Sequence, residues 1–226
     1  MSKPPRSRSS PARARLLVVD ANAVCREGIR AIIARADRFD LCQDASNGEN
    51  AADLLKRHKP DLLLIDPFGE GRDGVFLIKD LAGRFQKVRI LAVSQQPEEV
   101  YAERILRAGA GGYWMKKGTS EALVRGIDTV LSGELCVSAR VAYLAVHRLL
   151  GAPRSNHTPV SGLTDRELHV YGLIGAGFGP GRIAGDLGLS RKTVETYQDR
   201  IKTKLGYHDA SELRNGARTW FDSVNP

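Results

Sequence analysis

Four side chains capable of joint chemistry each follow a separate short apolar segment of the chain: Asp20, Asp66, Ser94 and Lys116. One carboxylate can hold a metal ion through oxygen, and a second can act as a nucleophile. A hydroxyl can bond the product, and an ammonium group can pair with its charge. The set suits phosphoryl transfer onto a carboxylate, in which positioning and charge neutralisation do most of the catalysis. Taken singly, each residue also has an ordinary structural explanation, such as an aspartate that forms a turn.

The segments before these residues alternate with amphipathic helices. The predicted strands are Leu16–Val19, Phe39–Ala45, Asp61–Ile65, Arg89–Val93 and Gly112–Met115. The predicted helices are Ala23–Ala36, Glu49–His58, Asp73–Leu81, Pro97–Ala108 and Ser120–Leu131. Five strands linked by helical crossovers predict an α/β doubly wound parallel sheet, with the apolar third strand at its centre. Because active groups gather beyond the carboxyl ends of such strands, the four polar residues are expected at one edge.

A second functional segment runs from Leu189 to Leu205. Ser190 is a good helix N-cap, and Gly206 can end the helix in a left-handed conformation. One apolar stripe contains Val194, Tyr197, Ile201 and Leu205, and the opposite face contains Lys192, Glu195, Thr196, Asp199, Arg200 and Thr203. Such a helix fits a DNA major groove with its outer face, but taken alone it is equally typical of a solvated surface helix.

The surroundings of this helix favour DNA binding. Thr164 and Glu167 have the spacing of a capping box, which starts an earlier helix. A glycine-rich turn from 175 to 181 leads into a short helix at Arg182–Leu187, which gives helix-turn-helix spacing over about 180–199. The glycine-rich run follows a helix, and Pro180 stands where a nucleotide-binding fingerprint has its third glycine, so a turn is favoured over a nucleotide loop.

The charge of +8 is concentrated at the two ends of the chain. Residues 1–15 carry five basic residues and no acid, and residues 136–226 carry 12 basic against 8 acidic residues. This favours a polyanionic partner for the C-terminal part. We predict a disordered tail at 1–15, a sheet domain at 16–135, an extension helix and linker at 136–161 and a small all-α domain at 162–226. Three scattered cysteines and no long apolar run predict a cytoplasmic protein without a membrane segment.

These motifs together resemble the NarL/FixJ class of two-component response regulators. The receiver likeness rests on Val18-Val19-Asp20, Asp66, Asp73-Gly74, Ser94 and the run Gly112 to Lys116. The likeness to a LuxR-type helix-turn-helix rests on Leu163-Thr164-x-Arg166-Glu167, Ile183-Ala184, Lys192-Thr193-Val194 and Lys204-Leu205-Gly206. The resemblance implies a flavodoxin-like receiver in which Asp66 accepts the phosphoryl group and Asp20 belongs to a Mg²⁺ site. It also implies that Ser94 and Tyr113 are the switch residues and that Lys116 pairs with the phosphate.

The chain departs from the receiver pattern in three places. Ala21 replaces the second of two adjacent acids, which predicts a weak Mg²⁺ site formed by Asp20 and Asp66. Gly69-Glu70 replaces a Met-Pro pair, and Gln95 stands beside Ser94 where a small residue is usual, so it is expected to crowd the pocket. The receiver is therefore interpreted as atypical, with phosphorylation of Asp66 left open.

Within the recognition helix, phosphate contacts are assigned to Lys192, Thr193, Arg200 and Lys204. Base contacts are assigned to Glu195, Thr196 and Asp199, with Lys192 as a further candidate. A second interpretation is equally open, in which Glu195 pairs with Arg191 and Asp199 with Lys202 along the helix. By resemblance the last helix, Ala210–Phe221, which carries Leu213 and Trp220, would form the dimer contact on DNA.

The sequence thus predicts a DNA-binding transcriptional regulator, not a metabolic enzyme, that acts as a homodimer under a sensor histidine kinase. One alternative keeps DNA binding but replaces phosphorylation by a ligand or a protein partner of the receiver. Another is an interaction module whose acidic recognition helix has lost DNA binding.

Overall fold

A five-stranded parallel sheet forms the first half of the protein, in a computed structural model that describes residues 13–46, 50–68, 74–150 and 159–224. Its strands are β1 Ala14–Val19, β2 Phe39–Ala45, β3 Leu62–Ile65, β4 Arg89–Ser94 and β5 Gly112–Met115. They are ordered β2-β1-β3-β4-β5, and every neighbouring pair is parallel. The predicted doubly wound sheet is confirmed, with β3 at its centre.

Helices cover both faces of the sheet: α1 Ala23–Ala34, α2 Ala51–His58, α3 Gly74–Arg84, α4 Glu98–Arg107 and α5 Ser120–Ser132. Alternate side chains of a strand point to opposite faces, so Leu16 and Leu17 belong to different cores. The core that contains Leu16 includes Ile29 of α1 and Ile127 of α5. The core that contains Leu17 includes residues of α2, α3 and α4.

Several predicted boundaries differ from the structure by a few residues. β1 begins at Ala14, two residues earlier than predicted, because its first residues pair with β2. α3 continues to Arg84 beyond the predicted end, although Gly83 is a poor helix former. The predicted start of the second helix at Glu49 lies outside the described residues, and so do residues 1–12 of the basic tail.

The second half of the chain is helical. It contains α6 Ala139–Leu149, a 3₁₀ turn at Pro159–Gly162, α7 Asp165–Gly175, α8 Pro180–Leu187, α9 Arg191–Leu205 and α10 Ala210–Val224. Both hydrogen bonds of the predicted Thr164/Glu167 capping box are present at the start of α7. α8 begins at Pro180, two residues before the predicted start, because proline suits the first turn of a helix.

α7, α9 and α10 pack against one another, and their buried side chains continue the core that contains Leu17. Tyr171, Val194, Ile201 and Trp220 are buried in it, and the rings of Tyr171 and Trp220 lie 5.4 Å apart. Gly188 at φ 61° forms the tight turn between α8 and α9, a backbone conformation that glycine adopts without strain. No helix among the described residues is both long and apolar enough to span a membrane.

The two halves contact each other through α4. Arg104 Nη1 pairs with Asp165 Oδ1 at 2.5 Å, and Arg104 Nη2 donates to the Leu163 carbonyl oxygen at 3.0 Å. At the amino end of α4, the Glu98 carboxylate accepts a bond of 2.7 Å from the Ser138 N–H, which precedes α6. α4 therefore links the sheet domain to both α6 and the start of the helix-turn-helix domain.

Candidate functional site

Lys116 joins two carboxylates at the carboxyl edge of the sheet. Its Nζ lies 2.7 Å from Asp20 Oδ2 and 2.6 Å from Asp66 Oδ2. All three side chains are largely buried, at 7% exposed for Lys116, 2% for Asp20 and 14% for Asp66. The structure therefore brings together three of the four residues that the strand ends predicted.

Backbone pairing fixes these residues in place. The Asp66 N–H donates to the Val19 carbonyl at 2.9 Å, and the Lys116 N–H donates to the Ser94 carbonyl at 2.8 Å. Each residue directly follows a strand, so the register of the parallel sheet sets its position. Asp66 Oδ1 accepts a further bond of 2.9 Å from the Phe68 N–H, which orients the carboxylate.

The titration of the cluster reflects burial and pairing. Burial raises the pKa of Asp66 above its usual value, although the bonds from Lys116 and the Phe68 N–H act to lower it. Burial acts to lower the pKa of Lys116, but its bonds to the two carboxylates outweigh this, so the pKa is raised. Lys116 is therefore charged at neutral pH and holds its positive charge beside Asp66.

Ser94 and Tyr113 are the predicted switch residues, and both are buried. Ser94 Oγ accepts from the Gln96 N–H at 3.0 Å, and the Tyr113 hydroxyl donates to the Gln96 carbonyl at 2.8 Å. Burial raises the pKa of Tyr113, partly offset by the Ser94 hydroxyl. Both predicted switch residues thus hydrogen-bond to Gln96, in the loop between β4 and α4.

The donor set fits a magnesium ion in part. Asp20 and Asp66 would hold it, and Mg²⁺ is usually bound through one or two carboxylates with water as the other ligands. Ala21 supplies no third acid, and the described residues contain no group of three or more His, Cys, Asp or Glu placed to hold a metal. Gln95 is exposed, so the expectation that it crowds the pocket is wrong, because its side chain turns towards solvent. Gly69 and Glu70 lie outside the described residues.

Two further residues near the cluster had no predicted role. Arg26 Nη1 donates to the Asp20 carbonyl oxygen at 2.6 Å and so fastens the loop after β1 to α1. The Phe68 ring lies 4.6 Å from the Tyr101 ring on α4, at an interplanar angle of 58°. The position of Phe68, two residues after Asp66, was the available sequence signal, but its partner Tyr101 lies 33 positions away in sequence.

The outer face of α9 matches the predicted recognition surface. Val194 and Ile201 are fully buried, whereas Lys192, Glu195, Thr196, Asp199, Arg200 and Thr203 are exposed. The Ser190 hydroxyl caps the helix by accepting from the Thr193 N–H at 3.1 Å, and it shares a 2.8 Å bond with the Thr193 hydroxyl. The side chains assigned to bases thus lie on one solvent-facing surface, and their contacts with DNA stay a prediction.

The two acids of this face, Glu195 and Asp199, form ion pairs with basic residues, and so does Lys204. Glu195 pairs with Arg191 at 3.0 Å, and Asp199 pairs with Lys202 at 3.0 Å, as the second interpretation expected. Lys204 Nζ lies 2.6 Å from Oε2 of Glu167, the buried acid of the capping box. A phosphate contact by Lys204 therefore has to compete with this pair.

The apolar residues named for the predicted dimer contact on α10 are buried. Leu213 and Trp220 pack inside their own domain, so a dimer contact through α10 would use its exposed polar side, not these side chains. Trp114 of β5 is half-buried and packs against the core that contains Leu16.

Each half of the chain matches a known protein family. The family model described as the response regulator receiver domain matches residues 16–128, and the model of bacterial regulatory proteins of the luxR family matches residues 161–215. The oxygen regulatory protein NreC of Staphylococcus aureus (strain JH9) is 32% identical over 204 residues, which cover 88% of this chain and 94% of that protein. The transcriptional regulatory protein DegU of Brevibacillus brevis is 27% identical over 220 residues, which cover 89% and 93%.

A solved structure shares the fold over most of the chain. RcsB from Salmonella enterica serovar Typhimurium, bound to a promoter in the presence of a phosphomimetic, superposes with a TM-score of 0.68 at 21% identity. The match covers 94% of this chain and 100% of that one.

Proposed function

The chain belongs to the NarL/FixJ-type response regulators, so it is a DNA-binding transcriptional regulator of the two-component type, and we propose how it works. It binds double-stranded DNA as a homodimer through the outer face of α9. Its receiver domain accepts a phosphoryl group at Asp66 from a sensor histidine kinase. We place it in the cytoplasm and assign it no substrate turnover beyond its own phosphorylation.

The proposal of phosphorylation rests on the Lys116 ammonium group, which lies 2.6 Å from Asp66 and 2.7 Å from Asp20. A carboxylate oxygen of Asp66 attacks the phosphorus atom of the donor, and the bond between phosphorus and the donor group breaks. Lys116 then pairs with the charge of the phosphoryl oxygens, and the Ser94 hydroxyl donates to one of them. A Mg²⁺ ion held weakly by Asp20 and Asp66 would supply further charge neutralisation.

The acyl phosphate would act on α4 through two groups of contacts. The Ser94 hydroxyl is hydrogen-bonded to Gln96 in the loop that leads into α4. When this hydroxyl turns to the phosphoryl group, the loop moves with it, and Tyr113 contacts the same loop. α4 in turn carries Arg104, which contacts the first residue of α7. The local change in charge is thus coupled to the position of the helix-turn-helix domain.

Intact-protein mass spectrometry after incubation with acetyl phosphate and Mg²⁺ tests this proposal. We expect one phosphoryl adduct on the wild type and on Asp53→Asn, whose side chain is 75% exposed on α2, and none on Asp66→Asn. Absence of the adduct from a wild type that still binds DNA would exclude the phosphorylation step.

A second candidate, control of the receiver by a ligand or protein partner, is favoured by one observation. Ala21 stands in the place of an acid, and Lys116 already forms ion pairs with both remaining carboxylates. Under this candidate, Asp66→Asn leaves promoter binding and transcriptional activity unchanged. A transcription assay in cells with the Asp66→Asn variant distinguishes the two.

The loss of DNA binding is the least supported alternative, since the acids of the α9 face are paired with cations, which reduces their repulsion of phosphates. The salt dependence of duplex binding tests it. A true binder loses affinity steeply as salt rises, because it releases counterions from the DNA. An interaction module would show no salt-dependent affinity for any duplex.

A further inference from the structure

The first turns of α9 contain few side-chain donors that are left to reach a base. The Thr196 hydroxyl donates to the Lys192 carbonyl at 2.9 Å, and the Thr193 hydroxyl is engaged with Ser190 Oγ at 2.8 Å. Glu195 is an acceptor that already receives a bond from Arg191. Among residues 191–196, all described, Arg191 and Lys192 therefore supply the outward donors.

The pair between Arg191 and Glu195 leaves the reading edge of the guanidinium group open. Arg191 Nε donates to Glu195 Oε1 at 3.0 Å, so the two terminal nitrogens, Nη1 and Nη2, are not used by this bond. The Arg191 side chain is 71% exposed and that of Glu195 is 49% exposed. Two parallel N–H groups of an arginine match O6 and N7 of guanine in the major groove.

Helix stability does not account for this pair. An acid four residues before a base is the favourable order, because it agrees with the helix dipole, whereas here the base comes first. The first turn of α9 contains no acid at all, although acids are favoured there. Exposed pairs of this kind contribute little to folding, so the arrangement is better explained by what it presents to solvent.

We infer that Arg191 reads a guanine in the operator and that Glu195 is a positioning residue, which holds the guanidinium group in place. The inference rests on the proposed DNA binding of α9 and names a base-reading residue for it. Recognition helices of helix-turn-helix proteins place their N-terminal residues against base edges, which is where Arg191 lies. Lys192 carries a point charge without a planar fork, so it serves a phosphate. In this arrangement the Glu195 carboxylate acts through the arginine, not on a cytosine amine.

Selection of duplexes from a randomised library by the full-length protein, followed by sequencing, tests the assignment. The proteins compared are the wild type, Arg191→Ala, Arg191→Lys, Glu195→Gln and the control Arg84→Ala. Arg84 forms an i,i+4 pair with Asp80 at 2.7 Å on α3, far from α9 in sequence. Because Arg191 is exposed, its substitution leaves the core of the domain intact.

We expect the wild type and Arg84→Ala to share one guanine position. Arg191→Ala lowers the preference for guanine there by roughly 5- to 150-fold, the discrimination of one bidentate contact. Arg191→Lys shows the same loss but keeps the salt dependence, because the charge remains. Glu195→Gln weakens the preference at that same position.

Two results would overturn the assignment. Arg191→Ala could weaken binding equally for all sequences, which would make Arg191 a phosphate contact. Alternatively, Glu195→Gln could abolish a cytosine preference that Arg191→Ala leaves intact, which would make Glu195 the direct reader. A wild type that selects no duplex under any condition would instead refute DNA binding itself, and this failure is distinguishable from the other two.

Discussion

The contact between Arg104 and Asp165 is the most direct test of how the two domains are arranged. Arg104 is 21% exposed and Asp165 is 37% exposed, so the pair lies between a surface pair and a buried one. Exposed pairs contribute about 0.2–1 kcal/mol, and hydrogen bonds to charged groups about 1.5–3 kcal/mol. Arg104 makes two such contacts, one to the carboxylate and one to the Leu163 carbonyl. We therefore expect Arg104→Ala to lower the free energy of unfolding by about 2 kcal/mol.

A double-mutant cycle separates the pair from its surroundings. Urea unfolding of the wild type, Arg104→Ala, Asp165→Asn and the double variant should give a coupling energy of about 1 kcal/mol. Arg107→Ala is the matched control, because Arg107 is 79% exposed and pairs within α4 with Glu103 at 2.7 Å. Arg107→Ala should lower the free energy of unfolding by no more than about 0.5 kcal/mol.

The outcome decides whether the domains are docked in solution. A coupling energy below about 0.3 kcal/mol, the usual scatter of independent sites, would show that Arg104 and Asp165 are not in contact. Small-angle X-ray scattering gives a second readout, because loss of the contact in Arg104→Ala should increase the radius of gyration. An unchanged radius together with zero coupling would refute the reasoning.

Three other substitutions test the pocket and the helical domain. Ala21→Asp should raise Mg²⁺ affinity by at least about tenfold in calorimetric titration, since each carboxylate counts for this ion, and an unchanged affinity would contradict the assigned site. Glu167→Gln should cost roughly 1–3 kcal/mol at neutral pH by breaking the bond to Lys204. Because the pKa of Glu167 is lowered in the folded protein, this stabilisation is fully present above pH 4.5, the usual pKa of a glutamate, and is lost as the pH falls below it. The urea midpoints of the wild type and Glu167→Gln should therefore converge in acid. A constant difference between the two midpoints would contradict this. Gly175→Ala should lower the stability of the fold by about 1–3 kcal/mol in thermal unfolding, because a Cβ at this position would lie 2.5 Å from the Ala217 carbonyl oxygen. An unchanged melting temperature would contradict the close packing of α7 on α10.

Much of the fold could be predicted because its signals are local. The alternation of apolar segments and helices gave the parallel sheet, and the capping box at Thr164 gave the start of α7. Boundaries were less accurate where the helix continues against local propensity, as at Gly83 near the end of α3. The pocket followed from the topology, since strand ends of a parallel sheet meet at one edge. The direction of the Gln95 side chain could not be predicted, because it depends on the packing of the loop after β4.

The sequence by itself determined the fold class, the four residues at the strand ends and the outer face of α9, because periods of two and 3.6 residues fix which side chains share a face. Only the tertiary structure decided which partners these residues have. Lys116 pairs with two acids from strands distant in sequence, Lys204 pairs with Glu167 instead of facing solvent freely, and Arg104 reaches the helix-turn-helix domain. The physical reason is that such contacts join residues 37 to 96 positions apart, and their distances depend on how whole elements pack.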